Sequence, residues 1–320
     1  MNEIHQVHDK FFKHIISNKE NAKSFIEFAL PKEITDYIDY STLEPLNTEK
    51  ISKRYKRFSL DAAFRFKAKQ KTAQVYMILE HKSESTSFSS IQILSYMLAI
   101  WEENLKNKKP LEPIIAIVFY HGKTSWDKPT EFLDNFEDKD LFSKYLPKFE
   151  YILLDTNITP DETFQFKIQN RYLLVALLIL KHIFQEEGIE VFYDILNLIK
   201  DANIDDFIDL LEYIINVRDL NEEEIKTVLE STIGGDKMAP IIEKWIQKGR
   251  EEGIEKGIMD GMILDAQELL LDAIEAKFGN VPKEIKLLIK NTNDREKLRS
   301  LHKIAIKAQS LDEVKNALQK

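Results

Sequence analysis

The sequence predicts an α/β fold over roughly its first 158 residues and an all-helical remainder. Three observations carry that reading. Leu60, Ala62, Phe64 and Phe66 alternate with Asp61, Ala63, Arg65 and Lys67, and Val75–Lys82 alternates in the same way; a period of two marks a strand. Pro113–Tyr120 (PIIAIVFY) is a short, nearly continuous apolar run, the pattern of a buried strand. Beyond Asp161 the apolar residues recur only at helical spacing.

In chain order, Phe12, Ile15, Ile16, Phe25, Ile26 and Ala29 give His8–Leu30 mostly helical spacing, and Pro31 stops it. Extended character begins near Thr42. The polar stretch Lys67–Gln74 joins the two alternating segments, so a hairpin is the economical arrangement. Ser87 to about Lys106 reads as a helix, with Ile91, Leu94, Leu98 and Leu105 on its apolar side and Ser87, Ser89 or Ser90 as cap. After Pro113–Tyr120 and a loop rich in Asp, Lys and Pro, Tyr151–Asp155 is the last strand. The later helices are Phe164–Glu187, Glu190–Lys200, Ile204–Asn216, Glu222–Ser231 (capped by Asn221), about Met238–Lys277, and two more. The domains expected are an α/β core over 1–160, a helical extension packed on it over 161–233, and a glycine-punctuated long helix with a C-terminal helical domain over 234–320.

Composition narrows the function classes. Of 320 residues, 43% are hydrophobic and 31% charged, as in ordinary soluble chains, which excludes a disordered, collagen-like or membrane protein. The longest apolar run, Tyr172–Leu180, is nine residues, about half of the roughly 20 that span a bilayer, so no membrane partner is expected. MNEIHQVHDK has no secretory h-region, and the chain has no cysteine, which removes disulfides, thiolate chemistry and cysteine zinc sites and makes the cytoplasm the default compartment. Only Gly122 and Gly188 precede residue 234, and neither belongs to a phosphate-cradling loop. Net charge is −9, but unevenly spread: residues 1–110 hold 18 basic and 14 acidic side chains, and residues 111–320 hold 27 and 40. A polyanion feels the local field, so the N-terminal third can meet DNA.

The residues that can carry chemistry are Asp61, Glu80 and Lys82. On a strand, Glu80 and Lys82 share a face about 7 Å apart. A hairpin turn centred between Gln70 and Lys71 sets Ala62 opposite Leu79, Phe64 opposite Met77, Phe66 opposite Val75 and Asp61 opposite Glu80. A slip of one residue splits the apolar face; a slip of two preserves it. Two carboxylates facing each other repel unless a cation lies between them. One or two carboxylates completed by water and phosphate suit Mg²⁺, with Mn²⁺ as an alternative, and such an ion can activate water against phosphorus. Lys82 is placed to stabilise charge on that phosphorus or to orient the water. The competing reading is a salt-bridged solvent face.

The segments SLDAAFRF and VYMILEHKS, a helix opening SSIQILSYM and the strand PIIAIVFY together resemble the PD-(D/E)XK nuclease superfamily. More closely, with HDKFFKHIISNKENAKSFIEFALP, LEPLNTEKISKRYKRFSLDAAF and IVFYHGKTSW, the chain resembles the Rpn family of recombination-promoting nucleases, also called YhgA-like transposases, over about residues 5–230. The resemblance implies a nuclease-like core with a mixed sheet flanked by helices. It also implies Asp61 and Glu80 as metal ligands, Lys82 as catalytic lysine and Gln92 as an accessory active-site residue. An acidic residue of the first helix often joins such sites; Asp9, Glu20 and Glu27 are available, with Asp9 preferred. The literal PD dipeptide is absent, since Leu60 precedes Asp61.

Gln92 and Tyr96, four apart, share a helix face away from the Ile91/Leu94/Leu98 stripe; turned to the hairpin, that face brings Gln92 near Lys82. Lys50, Lys53, Arg54, Lys56 and Arg57, with Lys67, Lys69 and Lys71 in the hairpin turn, can grip DNA phosphates without reading sequence. His8, His81 and His121 can approach one another, but no zinc-ligand spacing exists. Gly249, Gly253, Gly257 and Gly261 recur every fourth residue, a bare-backbone stripe suited to a homodimer through this helix or the C-terminal helices, or else a solvated connector. The expectation is a divalent-metal-dependent DNA endonuclease acting in recombination, mobile-element biology or phage defence. The alternatives are a catalytically silent DNA-binding or oligomeric module of the same fold, and a helical half that binds a protein partner.

Overall fold

The computed structural model describes residues 3–48, 60–68, 74–84, 89–185, 188–199, 203–218, 220–232 and 235–318. The chain divides into two compact units, Met1–Met238 and Ala239–Lys320.

The first unit opens with α1 (Glu3–Ser17) and α2 (Lys19–Ala29), which pack on each other. One helix over His8–Leu30 was expected, and the structure corrects this. The side chain of Asn18 accepts from the backbone N–H groups of Glu20 and Asn21, capping α2 and breaking the chain between the helices. Apolar spacing hides the break because both helices bury the same kind of stripe, Phe12 and Ile15 from α1 and Phe25 and Ile26 from α2.

The sheet is mixed and five-stranded: β1 (Ile38–Pro45), β2 (Ala62–Ala68), β3 (Gln74–Lys82), β4 (Ile114–Tyr120) and β5 (Ile152–Asp155), adjacent in that order. β1, β2 and β3 run antiparallel; β3, β4 and β5 run parallel. Parallel neighbours need a crossover, and α3 (Ser89–Lys106) lies in the β3–β4 connection. The hairpin pairs Ala62 with Leu79, Phe64 with Met77 and Phe66 with Val75, the register expected from the alternation.

Both faces of the sheet are covered. Ala63, Tyr76, Ile78, Ala116 and Val118 pack with Ile93, Tyr96, Met97 and Ile100 of α3. On the other face, Phe12 stacks on Phe119 of β4 with centroids 5.3 Å apart, and Phe25 meets the same ring edge-on at 5.7 Å. The apolar side expected for α3 is therefore reversed: Ile91, Leu98 and Leu105 are exposed, while Ser90, Gln92, Ile93, Tyr96 and Met97 are buried. Two stripes of similar apolarity run along this helix. The one holding hydrogen-bonding Gln92 and Tyr96 faces the sheet because buried polar partners await it there.

Helices α4 (Asp161–Lys167), α5 (Arg171–His182), α6 (Glu190–Asn197), α7 (Ile204–Arg218) and α8 (Glu222–Thr232) follow. The single helix expected over Phe164–Glu187 is two, because Asn170 caps α5 by accepting from the Leu173 N–H. Its amide also donates to Asn21 Oδ1 at 2.8 Å, tying α5 to α2. Asn221 caps α8 as expected, with Glu224 returning a bond to its backbone N–H in a capping box.

α9 (Gly235–Phe278), which begins just before the second unit, leads to α10 (Lys283–Lys290), α11 (Arg295–Lys307) and α12 (Leu311–Leu318), three helices where two were expected. Their core holds Leu270, Ile274, Ile285, Ile289, Leu298, Leu301 and Val314. Leu269, Leu287, Ile304 and Ile306 on these helices are exposed. Among the described residues, a methyl group added at Gly253, Gly257 or Gly261 would meet no atom within 4 Å, so no contact among them requires those glycines. The surroundings of Gly249 lie outside the described residues. Among the described residues no helix is long and apolar enough to cross a membrane.

Candidate active site

Strand alternation sends Glu80 and Lys82 at the end of β3 toward α3, and His81 toward α1. Glu80 is 1% exposed. Its Oε2 lies 3.0 Å from Lys82 Nζ and accepts a hydrogen bond from Gln92 Nε2 at 3.1 Å. Gln92 closes the triangle by accepting from Lys82 Nζ through Oε1 at 3.0 Å. Its Nε2 also lies 2.9 Å from the Tyr96 hydroxyl, one helical turn on. Glu80 Oε1 is buried with no hydrogen-bond partner.

Asp61 lies one residue before β2, so it does not stand opposite Glu80 in the ladder as the register arithmetic expected. The reason is local. Its Oδ2 accepts the backbone N–H of His81 at 2.8 Å, so a side chain takes the place of a strand carbonyl. Its Oδ1 is 3.1 Å from Lys13 Nζ of α1. Buried Leu60 anchors the backbone just ahead of it.

Burial pushes the Glu80 carboxyl up to about 8; the Lys82 ammonium opposes this and the Asp61 carboxylate adds to it. Burial disfavours the Lys82 ammonium, yet Glu80 and Asp61 hold its pKa above the ordinary lysine value. Both directions follow from two carboxylates sharing a dry pocket: the cluster holds on to its protons.

Of the acids expected on one opening helix, Asp9 of α1 reaches this region, its Oδ1 3.0 Å from His81 Nδ1, while Glu20 and Glu27 of α2 are exposed. Burial works against the Asp9 carboxylate, but the His81 hydrogen bond and the Lys13 and Lys82 charges hold its pKa below the ordinary value. His81 also stacks between Phe12 at 4.9 Å and His121 at 4.6 Å, and His8 meets His121 edge-on at 5.1 Å. Lys13 was missed at the sequence level; the available signal was its position four residues after Asp9, on the same helix face. Lys50, Lys53, Arg54, Lys56, Arg57, Lys69 and Lys71 lie outside the described residues, and Lys67 is exposed near the end of β2.

Among the described residues no three His, Asp or Glu side chains are grouped to hold a metal ion. The donor chemistry nonetheless suits a hard divalent cation: a buried carboxylate oxygen without a partner, and a second carboxylate near enough to raise its pKa.

A mixed sheet flanked by helices, with an acidic pair and an ammonium where β3 meets the helix that follows it, is the architecture of an α/β nuclease-like core. The chain belongs to the family described as "Putative transposase, YhgA-like", which residues 6–206 match. It is 26% identical over 183 residues to the recombination-promoting nuclease RpnD of Escherichia coli O157:H7, covering 56% of this chain and 69% of that one. It is 24% identical over 275 residues to the inactive recombination-promoting nuclease-like protein RpnE of E. coli K12, covering 84% and 91%. RpnA of the same strain, a recombination-promoting nuclease, is 27% identical over 182 residues, covering 56% and 61%. No solved structure matches.

Proposed function

We propose that this chain is a divalent-metal-dependent DNA endonuclease that hydrolyses phosphodiester bonds in recombination, mobile-element biology or phage defence. The observation that carries the reading is the buried Glu80–Lys82–Gln92 triangle with Asp61 beside it. Ionisable groups kept this dry are costly to the fold, and such expense concentrates at functional sites. The relatives named as nucleases support the same class.

In this reading Asp61 and Glu80 hold Mg²⁺ or Mn²⁺. When bound, that ion supplies a polarised phosphoryl oxygen and a water of lowered pKa. Lys82 presents its ammonium to the charge that builds on the phosphoryl group. Gln92, bonded to both Glu80 and Lys82, fixes their spacing. The basic run Lys50–Arg57 with Lys69 and Lys71 grips backbone phosphates. A homodimer through α9 belongs to the same proposal and is open to sedimentation analysis.

The test is nicking of supercoiled plasmid in Mg²⁺, in Mn²⁺ and in chelator. Asp61→Ala, Glu80→Ala and Lys82→Ala should each abolish cutting without unfolding the protein; wild-type cutting by either carboxylate variant removes the site assignment. The name of RpnE, the relative matched over 84% of this chain, favours one further reading, a silent DNA-binding module. Steeply salt-dependent DNA binding with no nicking in either metal would select it.

A further inference from the structure

Two ammonium groups serve the two carboxylates, and they are held differently. Lys82 is 19% exposed and tied on two sides, to Glu80 and to Gln92. Lys13 is 36% exposed and has one contact in the cluster, Oδ1 of Asp61 at 3.1 Å, at the end of a flexible four-carbon stem. Asp61 itself is only 6% exposed and is fixed through Oδ2 by the His81 N–H. A cation entering between the carboxylates therefore finds Glu80 Oε1 bare and Asp61 Oδ1 covered by Lys13.

We propose that Lys13 is the exchangeable counter-ion of the site: it neutralises Asp61 in the metal-free protein, yields Oδ1 to a divalent cation, and so sets the affinity for that cation. The proposal rests on the metal-dependent reading above. Its physical content is competition. An ammonium and a divalent ion cannot both occupy the same side of one carboxylate oxygen, and deleting the ammonium leaves a more negative field for the ion. A residue that merely braces Asp61 would do the reverse, because its loss would loosen the ligand and weaken binding.

The experiment is Mn²⁺ binding to the full chain without DNA, followed by the electron-spin signal of free Mn²⁺ and by calorimetry. Lys13→Met should bind at least about five-fold tighter than wild type. Its melting temperature should be lower in chelator and rise more on adding Mn²⁺. Lys13→Arg, which keeps the charge, should bind no tighter than wild type, and Lys13→Gln serves if the methionine variant fails to fold. Glu80→Gln should lose the ion, which locates it. Equal or weaker binding by Lys13→Met and Lys13→Gln, with wild-type binding intact, overturns the role of Lys13 and leaves the metal site standing. Absence of binding by wild type and variants at millimolar Mn²⁺, or full binding by Glu80→Gln, overturns it together with the metal assignment.

Discussion

Glu80 and Lys82, two positions apart on β3, place a carboxyl and an ammonium 3.0 Å from each other in a pocket that leaves Glu80 1% exposed. Removing one member of such a pair strands the other. Lys82→Met should therefore destabilise the metal-free protein by about 3 kcal/mol. The double variant Glu80→Gln/Lys82→Met should recover most of that loss. Urea unfolding of wild type, Lys82→Met, Glu80→Gln and the double variant in chelator measures both terms, and additive losses would mean the pair is not coupled.

The raised Glu80 pKa makes stability depend on pH in a stated direction. The open-chain carboxyl releases its proton near 4.5, whereas the folded one holds it to about 8. Between those values the folded state binds more protons than the unfolded state, so stability falls as pH rises, by at most about 1.4 kcal/mol per unit. Below about pH 4.5 this group contributes no slope. Lys82, shifted upward from 10.5, keeps its contribution throughout the same window. Unfolding of the metal-free chain at several values between pH 5.5 and 8 should show the decline in wild type and its loss in Glu80→Gln.

The strands were legible because their signal is local. Alternation in Leu60–Lys67 and Val75–Lys82 limited the hairpin register to even slips, since a one-residue slip would have put Phe64 and Met77 on opposite faces, and the turn placed between Gln70 and Lys71 selected the observed one. Helix ends were less legible. Asn18 and Asn170 break helices inside uninterrupted apolar spacing, and an asparagine is an ordinary residue until its side chain meets a backbone N–H. The orientation of α3 was misread for a related reason: counting Leu and Ile favours Ile91 and Leu98, while Gln92 and Tyr96 face inward to meet partners on another element. Lys13 escaped because its spacing from Asp9 within α1 points to the same face but not to Asp61, 48 positions away in the chain.

Asn170 offers a test of one such break. It caps α5 through the Leu173 N–H and donates to Asn21 Oδ1 at 2.8 Å. Asn170→Ala removes both bonds and should cost about 1–2 kcal/mol, while Asn170→Asp keeps the cap and loses only the bond to α2. A loss for the aspartate variant equal to that for alanine, read from urea midpoints, would mean the link to Asn21 outweighs the cap.

Phe12 connects the core to the site. Its ring is fully buried, stacked 5.3 Å from Phe119 and 4.9 Å from His81, the residue whose backbone N–H holds Asp61 and whose ring meets Asp9. Phe12→Ala opens a cavity against both rings and should destabilise the first unit by about 3–5 kcal/mol; Phe12→Leu keeps most of the volume and should cost about 1–2 kcal/mol. The two variants separate packing from site geometry. His81 can settle toward an alanine, so Phe12→Ala should also weaken Mn²⁺ binding at a temperature where it remains folded, whereas Phe12→Leu should leave it within about two-fold of wild type. Circular dichroism fixes that temperature and calorimetry reads the affinity. Unchanged Mn²⁺ binding by a folded Phe12→Ala would show that β3, and not the aromatic stack, positions His81.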